Sequence, residues 1–153
     1  MLASIAAATE ARRPPARLHD LRALCRDHTP ATAAEAIATV VEHSLDTVPC
    51  AAVFVPTRTG TTARMISRFK PGIWIASLSR DPAVCQGLAF SYGVHPVDIA
   101  DEPDNWRDFA RGWLRAQELS GPLAMLVAGP STRNPDASHR NEVMRMGERP
   151  KSA

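Results

Sequence analysis

One segment constrains the fold of this chain more than any other: residues 50–71, Cys-Ala-Ala-Val-Phe-Val-Pro-Thr-Arg-Thr-Gly-Thr-Thr-Ala-Arg-Met-Ile-Ser-Arg-Phe-Lys-Pro. Its first six residues are apolar and lack the alternation of a half-wet strand, which suits a strand of a parallel sheet covered on both faces. Gly60 then offers a permissive backbone position just before a helix. That helix opens with Thr61 and Thr62 and must stop before Pro71, because the residue preceding a proline avoids helical geometry. The loop between strand and helix carries the hydroxyls of Thr57, Thr59, Thr61 and Thr62 together with Arg58. Free backbone N–H groups and the positive end of the helix dipole face the same loop, which outlines an anion site. The alternative is that the threonines only cap the helix.

The rest of the chain repeats the alternation of strand and helix. Thr32-Ala33-Ala34-Glu35 fits a capping box, and Ala33, Ile37, Val40 and Val41 recur on one helical face, as for a helix laid on a sheet. Residues 73–78 form a second apolar strand, and Asp81 with Pro82 opens a helix running to about Phe90. Residues 94–99 read as a third strand, placed at or near an edge because Pro96 removes a ladder donor. From 104 to 119 the pattern is helical, with Trp106, Phe109, Trp113 and Ala116 on one stripe. Residues 123–128 make another fully apolar strand, the polar loop 129–141 follows, and 142–146 form a short last strand with an exposed apolar edge. Met1 to Glu10 reads as a helix, 12–15 as an extended linker and the tail to Ala153 as disordered.

The fold class that follows is α/β: a three-layer, doubly wound, mostly parallel sheet of about five strands with right-handed crossovers. If the order is of the 3-2-1-4-5 kind, the chain reverses direction between the strands at 50–55 and 123–128. The loops leaving those strands, 57–62 and 129–141, then share one crevice. Their polarity favours a phosphate-bearing ligand.

Several chemistries find no support. The lysine of a Walker loop is missing after Gly60, no GxGxxG occurs, and no GxSxG elbow supplies a serine nucleophile. His95 and Asp98 point to opposite faces of a regular strand and read as structural. Asp98, Asp101, Glu102 and Asp104 read as a solvated acidic approach to a helix rather than a metal site. No cofactor or metal is expected in this chain. A site with phosphate donors but no base, nucleophile or metal binds without reacting.

The net charge of +2 on 153 residues argues for neither nucleic acid nor a membrane as partner. The arginines at 12–26 carry no interleaved aromatic and are diluted by Asp20 and Asp27. Cys25, Cys50 and Cys85 are scattered, without metal or disulfide spacing, and a reducing cytoplasm is the simplest setting. The apolar start at 1–8 lacks a preceding basic segment and is too short to span a bilayer.

The run from Thr57 to Pro71, the strand at 73–78 and Tyr92-Gly93-Val94-His95-Pro96-Val97 together resemble the C-terminal domain of pyruvate kinase, over about residues 31–146. Residues 1–10 also resemble the last helix of that family's catalytic barrel. The resemblance implies three parts: a barrel remnant and linker at 1–29, the α/β domain at 30–146, and a tail at 147–153. In the family the barrel transfers phosphoryl groups between phosphoenolpyruvate and ADP with magnesium and potassium, ions that belong to the missing barrel. The C-terminal domain holds a sugar-phosphate or nucleotide effector. Thr57, Arg58, Thr59, Gly60, Thr61 and Thr62 match its phosphate loop, and Trp106 matches its effector-site tryptophan. The arginine following that tryptophan corresponds to either Arg107 or Arg111. The last loop departs from the family's glycine-rich, threonine-containing form, which argues against fructose 1,6-bisphosphate; Ser138, His139 and Arg140 are the anion contacts it offers instead.

Two functions from different classes are therefore expected. One is a regulatory, effector-binding domain without chemistry of its own. The other is a structural module that assembles subunits, with a vestigial effector site, since these domains pair across the family's tetramer. A homo-oligomer through the helix at Thr32 and the strand near Met144 is expected, and a catalytic barrel on a separate chain is a further candidate partner.

Overall fold

The computed structural model describes residues 32–130 and 136–147. The helix expected at 1–10, the linker at 12–15 and the tail beyond Gly147 lie outside the described residues. In chain order the elements are α1 (Ala33–Leu45), β1 (Cys50–Pro56), α2 (Thr61–Ser67), β2 (Trp74–Ser79), α3 (Pro82–Leu88), β3 (Val94–Asp98), α4 (Trp106–Ala116), β4 (Leu123–Ala128) and β5 (Arg140–Arg145).

The five strands form one sheet in the order β3-β2-β1-β4-β5. β1 pairs parallel with β2 on one side and β4 on the other, with Val53 in register with both Ile75 and Met125. β5 runs antiparallel to β4, with Met125 opposite Val143. β3 is an edge strand, which accommodates Pro96. The strand order is of the 3-2-1-4-5 kind, so the chain reverses direction between β1 and β4.

Period-two alternation along each strand divides the core in two. Val53, Val55, Ile75, Met125 and Val127 face the layer containing α1, α2 and α3, where Val41, Ala63, Ile66 and Leu88 are fully buried. Ala52, Phe54, Ala76, Leu78, Leu126 and Met144 face α4 through Ala110 and Leu114. On that side the Phe54 ring meets Trp113 and Phe109 edge-on, with centroids 5.4 and 6.3 Å apart. His95 lies edge-on to both Trp74 and Trp113, an aromatic contact rather than an acid–base pair.

Helix phase corrects two expectations. Thr32 caps α1 as anticipated, its hydroxyl accepting from the Glu35 N–H at 3.2 Å. The buried side of α1, however, is Ala38 and Val41 with Ile37 and Leu45, while Val40 is 53% exposed and Ala33 is exposed. At about 100° per residue, Val40 sits about 110° from the centre of that buried arc. The same arithmetic places Ala116 outside the α4 stripe, where Ala110 and Leu114 are the buried members and Ala116 is exposed. α4 runs Trp106–Ala116, within the expected 104–119, and Asn105 caps it, its Oδ1 accepting from the N–H groups of Arg107 and Asp108. β5 begins at Arg140, earlier than expected, and turns Met144 into the core at 1% exposure. Met144 is thus not part of an exposed apolar edge; Val143, 48% exposed, is.

Candidate functional site

The carboxyl end of β1 sets up the site. Thr57 is still tied to the sheet, its N–H donating to the Leu78 carbonyl at 2.8 Å. The chain then turns sharply, and the Gly60 N–H donates back to Thr57 Oγ1 at 2.8 Å. Gly60 adopts φ +78°, a left-handed conformation that favours glycine. It is also the N-cap residue of α2, with no side-chain hydrogen bond at that cap. The threonine hydroxyls are thus spent largely on the turn itself: Thr57 accepts from the N–H of the N-cap residue rather than from one inside α2. Thr59 Oγ1 and Thr61 Oγ1 bond each other at 2.9 Å, and Arg64 Nη1 donates to the Thr59 carbonyl at 3.0 Å, bracing the loop from outside.

A cleft of about 370 Å³ opens where the carboxyl ends of β1, β2 and β4 meet the segments entering α4 and β5. Thr57 and Arg58 line it from β1, Ser79, Arg80 and Asp81 from β2, and Ala128 and Gly129 from β4. Glu102 and Trp106 line it from the approach to α4, and Ser138 and Arg140 from the approach to β5. Of the residues singled out in the sequence, the fold thus gathers Thr57, Arg58, Trp106, Ser138 and Arg140 around one space. Thr59, Gly60, Thr61 and Thr62 are not in its lining. Gly60 is buried, and a Cβ there would meet Leu88 at 3.1 Å. The His139 ring lies against Gly129, where a Cβ would fall 2.5 Å from Nδ1, so only glycine permits that approach. Neither candidate for the second arginine lines the cleft. Arg111 donates to the carbonyls of Met146 and Gly147 at 3.2 and 2.8 Å, fastening the end of β5 to α4, and Arg107 is exposed.

Arg80, Asp81 and Glu102 are lining residues that sequence reasoning missed. The signal available was positional: Ser79-Arg80-Asp81 leaves the carboxyl end of a central strand, as the loop after β1 does. Asp81 is committed to α3, its Oδ1 accepting from the Ala83 N–H at 2.8 Å. Arg80 lies 3.8 Å from Asp101. Among the described residues, Arg58 and Arg140 have no carboxylate within ion-pair distance.

These groups suit holding an anion. Thr57 spends an acceptor lone pair on Gly60 and keeps its hydroxyl proton for a ligand. The thiol of Cys85, 3.9 Å from the Ser79 carbonyl, is no nucleophile. Burial, and then the Asp98 carboxylate, push it above its usual value, so it stays protonated near neutrality. Among the described residues, no cluster of His, Cys, Asp or Glu could hold a metal ion, and no helix is long and apolar enough to cross a membrane.

Comparison with known proteins places this geometry in a family. A family model described as "Pyruvate kinase, alpha/beta domain" matches residues 35–136. The pyruvate kinase of Thermococcus litoralis is 44% identical over 110 residues, covering 71% of this chain and 23% of that protein. Pyruvate kinase 2 of Synechocystis is 32% identical over 98 residues, covering 61% and 17%. Among solved structures, a Cryptosporidium parvum pyruvate kinase in complex with ADP superposes with a TM-score of 0.63 at 22% identity, over 79% of this chain and 25% of that one. The chain therefore spans about a quarter or less of the length of these relatives. With two thirds of its residues matched to that family model, the chain belongs to the pyruvate kinase α/β-domain family.

Proposed function

We infer that the chain is a regulatory domain that binds a phosphorylated sugar or nucleotide in the cleft and performs no chemistry of its own. Phosphoryl transfer between phosphoenolpyruvate and ADP, with its magnesium and potassium, belongs in this reading to a catalytic barrel, and the setting is cytoplasmic glycolysis. One observation carries the reading: two arginines without an ion-pair partner among the described residues, Arg58 after β1 and Arg140 at the start of β5, line one cleft at the reversal point of the sheet. Thr57 and Ser138 add hydroxyl donors beside them, and Trp106 adds an apolar face. This set matches a phosphate ester, whose oxygens accept and whose carbon skeleton packs.

Calorimetric titration with sugar monophosphates, sugar bisphosphates and AMP tests the reading. Arg58→Ala and Arg140→Ala each remove a charged hydrogen bond worth about 1.5–3 kcal/mol, so each should weaken binding by roughly ten- to a hundredfold. Absence of binding at millimolar concentration, or affinity indifferent to both arginines, would refute it.

A second reading, assembly, has its own support. β5 is the outermost strand of the sheet and offers an unpaired edge among the described residues, with Val143 48% exposed on it. Val40 on α1, 53% exposed, is a second apolar group that a partner copy would cover. A homo-oligomer through these elements is compatible with either function.

A further inference from the structure

We propose that the cleft selects a phosphate monoester bearing free hydroxyl groups over a bisphosphate, and that Glu102 sets this choice. The inference rests on the effector reading above and adds to it the class of ligand. Among the described residues, the lining includes the cations Arg58, Arg80 and Arg140 and the anions Asp81 and Glu102. Three minus two leaves a formal charge of +1. Arg80 is partly committed elsewhere by its approach to Asp101 at 3.8 Å. A phosphate ester carries about −1.5 to −2 near neutrality, which Arg58 and Arg140 can match. A second phosphate would bring as much charge again, and among the described lining residues only Arg80 is left to meet it.

The two carboxylates differ in what they are free to do. Asp81 caps α3 and is held by the fold. Glu102 uses its backbone N–H on Asp101 Oδ1 at 3.2 Å, but among the described residues its carboxylate has no hydrogen bond or ion pair. It is partly buried, on the same stretch of cleft wall as Trp106. An ionised carboxylate accepts hydrogen bonds and donates none. It therefore holds a ligand hydroxyl and repels an anion in the same place. Ring hydroxyls of a sugar phosphate, or the ribose hydroxyls of a nucleotide, supply the donor. A bisphosphate puts negative charge where the donor should be.

Glucose 6-phosphate and glucose 1,6-bisphosphate share one sugar and differ by one phosphate, so they isolate this effect. Each is titrated calorimetrically into the 153-residue chain and into Glu102→Gln, with Glu102→Ala as a second variant. The unmodified chain should bind the monoester at least tenfold more tightly. Removing the charge should raise bisphosphate affinity by on the order of tenfold, as expected for one unit charge at a few ångströms in a partly wet cleft. Monoester affinity should fall several-fold as the hydroxyl loses its charged acceptor. A purely structural role for Glu102 would lower both affinities together and leave their ratio unchanged. A bisphosphate preference in the unmodified chain, or a ratio unmoved by both variants, overturns the inference and leaves the effector reading standing. Failure of both sugars to bind at millimolar concentration overturns the effector reading and this inference with it.

Discussion

Replacement of Gly60 by alanine tests the loop geometry most directly, because two separate costs converge there. The backbone has φ +78° and ψ 0°, a left-handed conformation that costs an L-residue about 1–2 kcal/mol relative to glycine. An added Cβ would also lie 3.1 and 3.2 Å from Leu88 Cδ2 and Cγ and 3.2 Å from Arg64 Nη1. Leu88 is fully buried and cannot swing into solvent, so a few tenths of an ångström must be absorbed by its neighbours, at about 1 kcal/mol. The Arg64 guanidinium is exposed and can move, at the expense of its bond to the Thr59 carbonyl. The sum is about 2–3 kcal/mol, which for a domain of this size lowers Tm by about 8–12 °C. Gly112→Ala is the internal comparison. Gly112 lies within α4, and a Cβ added there would meet no heavy atom within 4 Å, so alanine should stabilise by about 0.5–1 kcal/mol. Urea denaturation of both variants, followed by circular dichroism, gives the comparison. Equal effects at the two positions, or a loss below about 0.5 kcal/mol at Gly60, would refute the left-handed turn that presents Thr57 and Arg58 to the cleft.

Two further outcomes follow from surface and titration. Val143→Asp should shift the chain toward monomer in light scattering, whereas a strictly monomeric parent at high concentration would remove the assembly reading. Burial raises the thiol of Cys50 above its usual 9.0, and burial followed by Asp98 does the same for Cys85. The unfolded thiols ionise first as pH rises. The corresponding stability is thus fully present below pH 9 and lost as pH climbs through the folded values. Urea titrations between pH 8 and 10.5 should show stability falling with pH, with a smaller slope in Cys50→Ala; an unchanged slope would contradict the shift.

The fold was legible because its three central strands are short and almost wholly apolar. The runs at 50–55, 73–78 and 123–128 needed no partner information to be recognised as covered on both faces, and Pro96 marked an edge by chemistry alone. Helix faces were less legible. Val40 and Val41 are equally apolar, and only packing against β1 and α2 decides that Val41 turns inward and Val40 outward. The cleft was half legible for a related reason. Thr57 and Arg58 follow directly from the end of β1, but Arg80, Asp81 and Glu102 enter it from chain segments whose convergence depends on strand order. The threonine-rich loop pointed toward the cleft, and Thr57 and Arg58 are the members of it that line that space. Local hydrogen bonding ties Thr59 to Thr61, an outcome composition cannot distinguish from four hydroxyls pointing at one ligand.

Two buried serines separate a hydroxyl that stabilises the fold from one that does not. Ser67, 6% exposed, donates to the Tyr92 carbonyl at 2.7 Å and so ties the end of α2 to the turn before β3. Ser77, fully buried in the middle of β2, has an Oγ with no hydrogen-bond partner. Its same-face neighbours along β2 are Ile75 and Ser79, the latter already accepting from the Asp81 N–H at 3.2 Å, and Val55 on β1 and Pro96 on β3 lie in register with it. Desolvating a hydroxyl without a partner costs about 1–3 kcal/mol, whereas a satisfied one contributes about 1 kcal/mol net. Alanine at both positions removes the same single oxygen, so the volume lost is equal and the sign of the difference reports the hydrogen bond. Ser67→Ala should destabilise by about 1 kcal/mol, and Ser77→Ala should be neutral or stabilising by up to about 1 kcal/mol, measured by urea denaturation at pH 7. A loss at Ser77 as large as that at Ser67 would mean that its hydroxyl finds an acceptor within the sheet, and the reading of Ser77 as an unsatisfied hydroxyl would have to be abandoned.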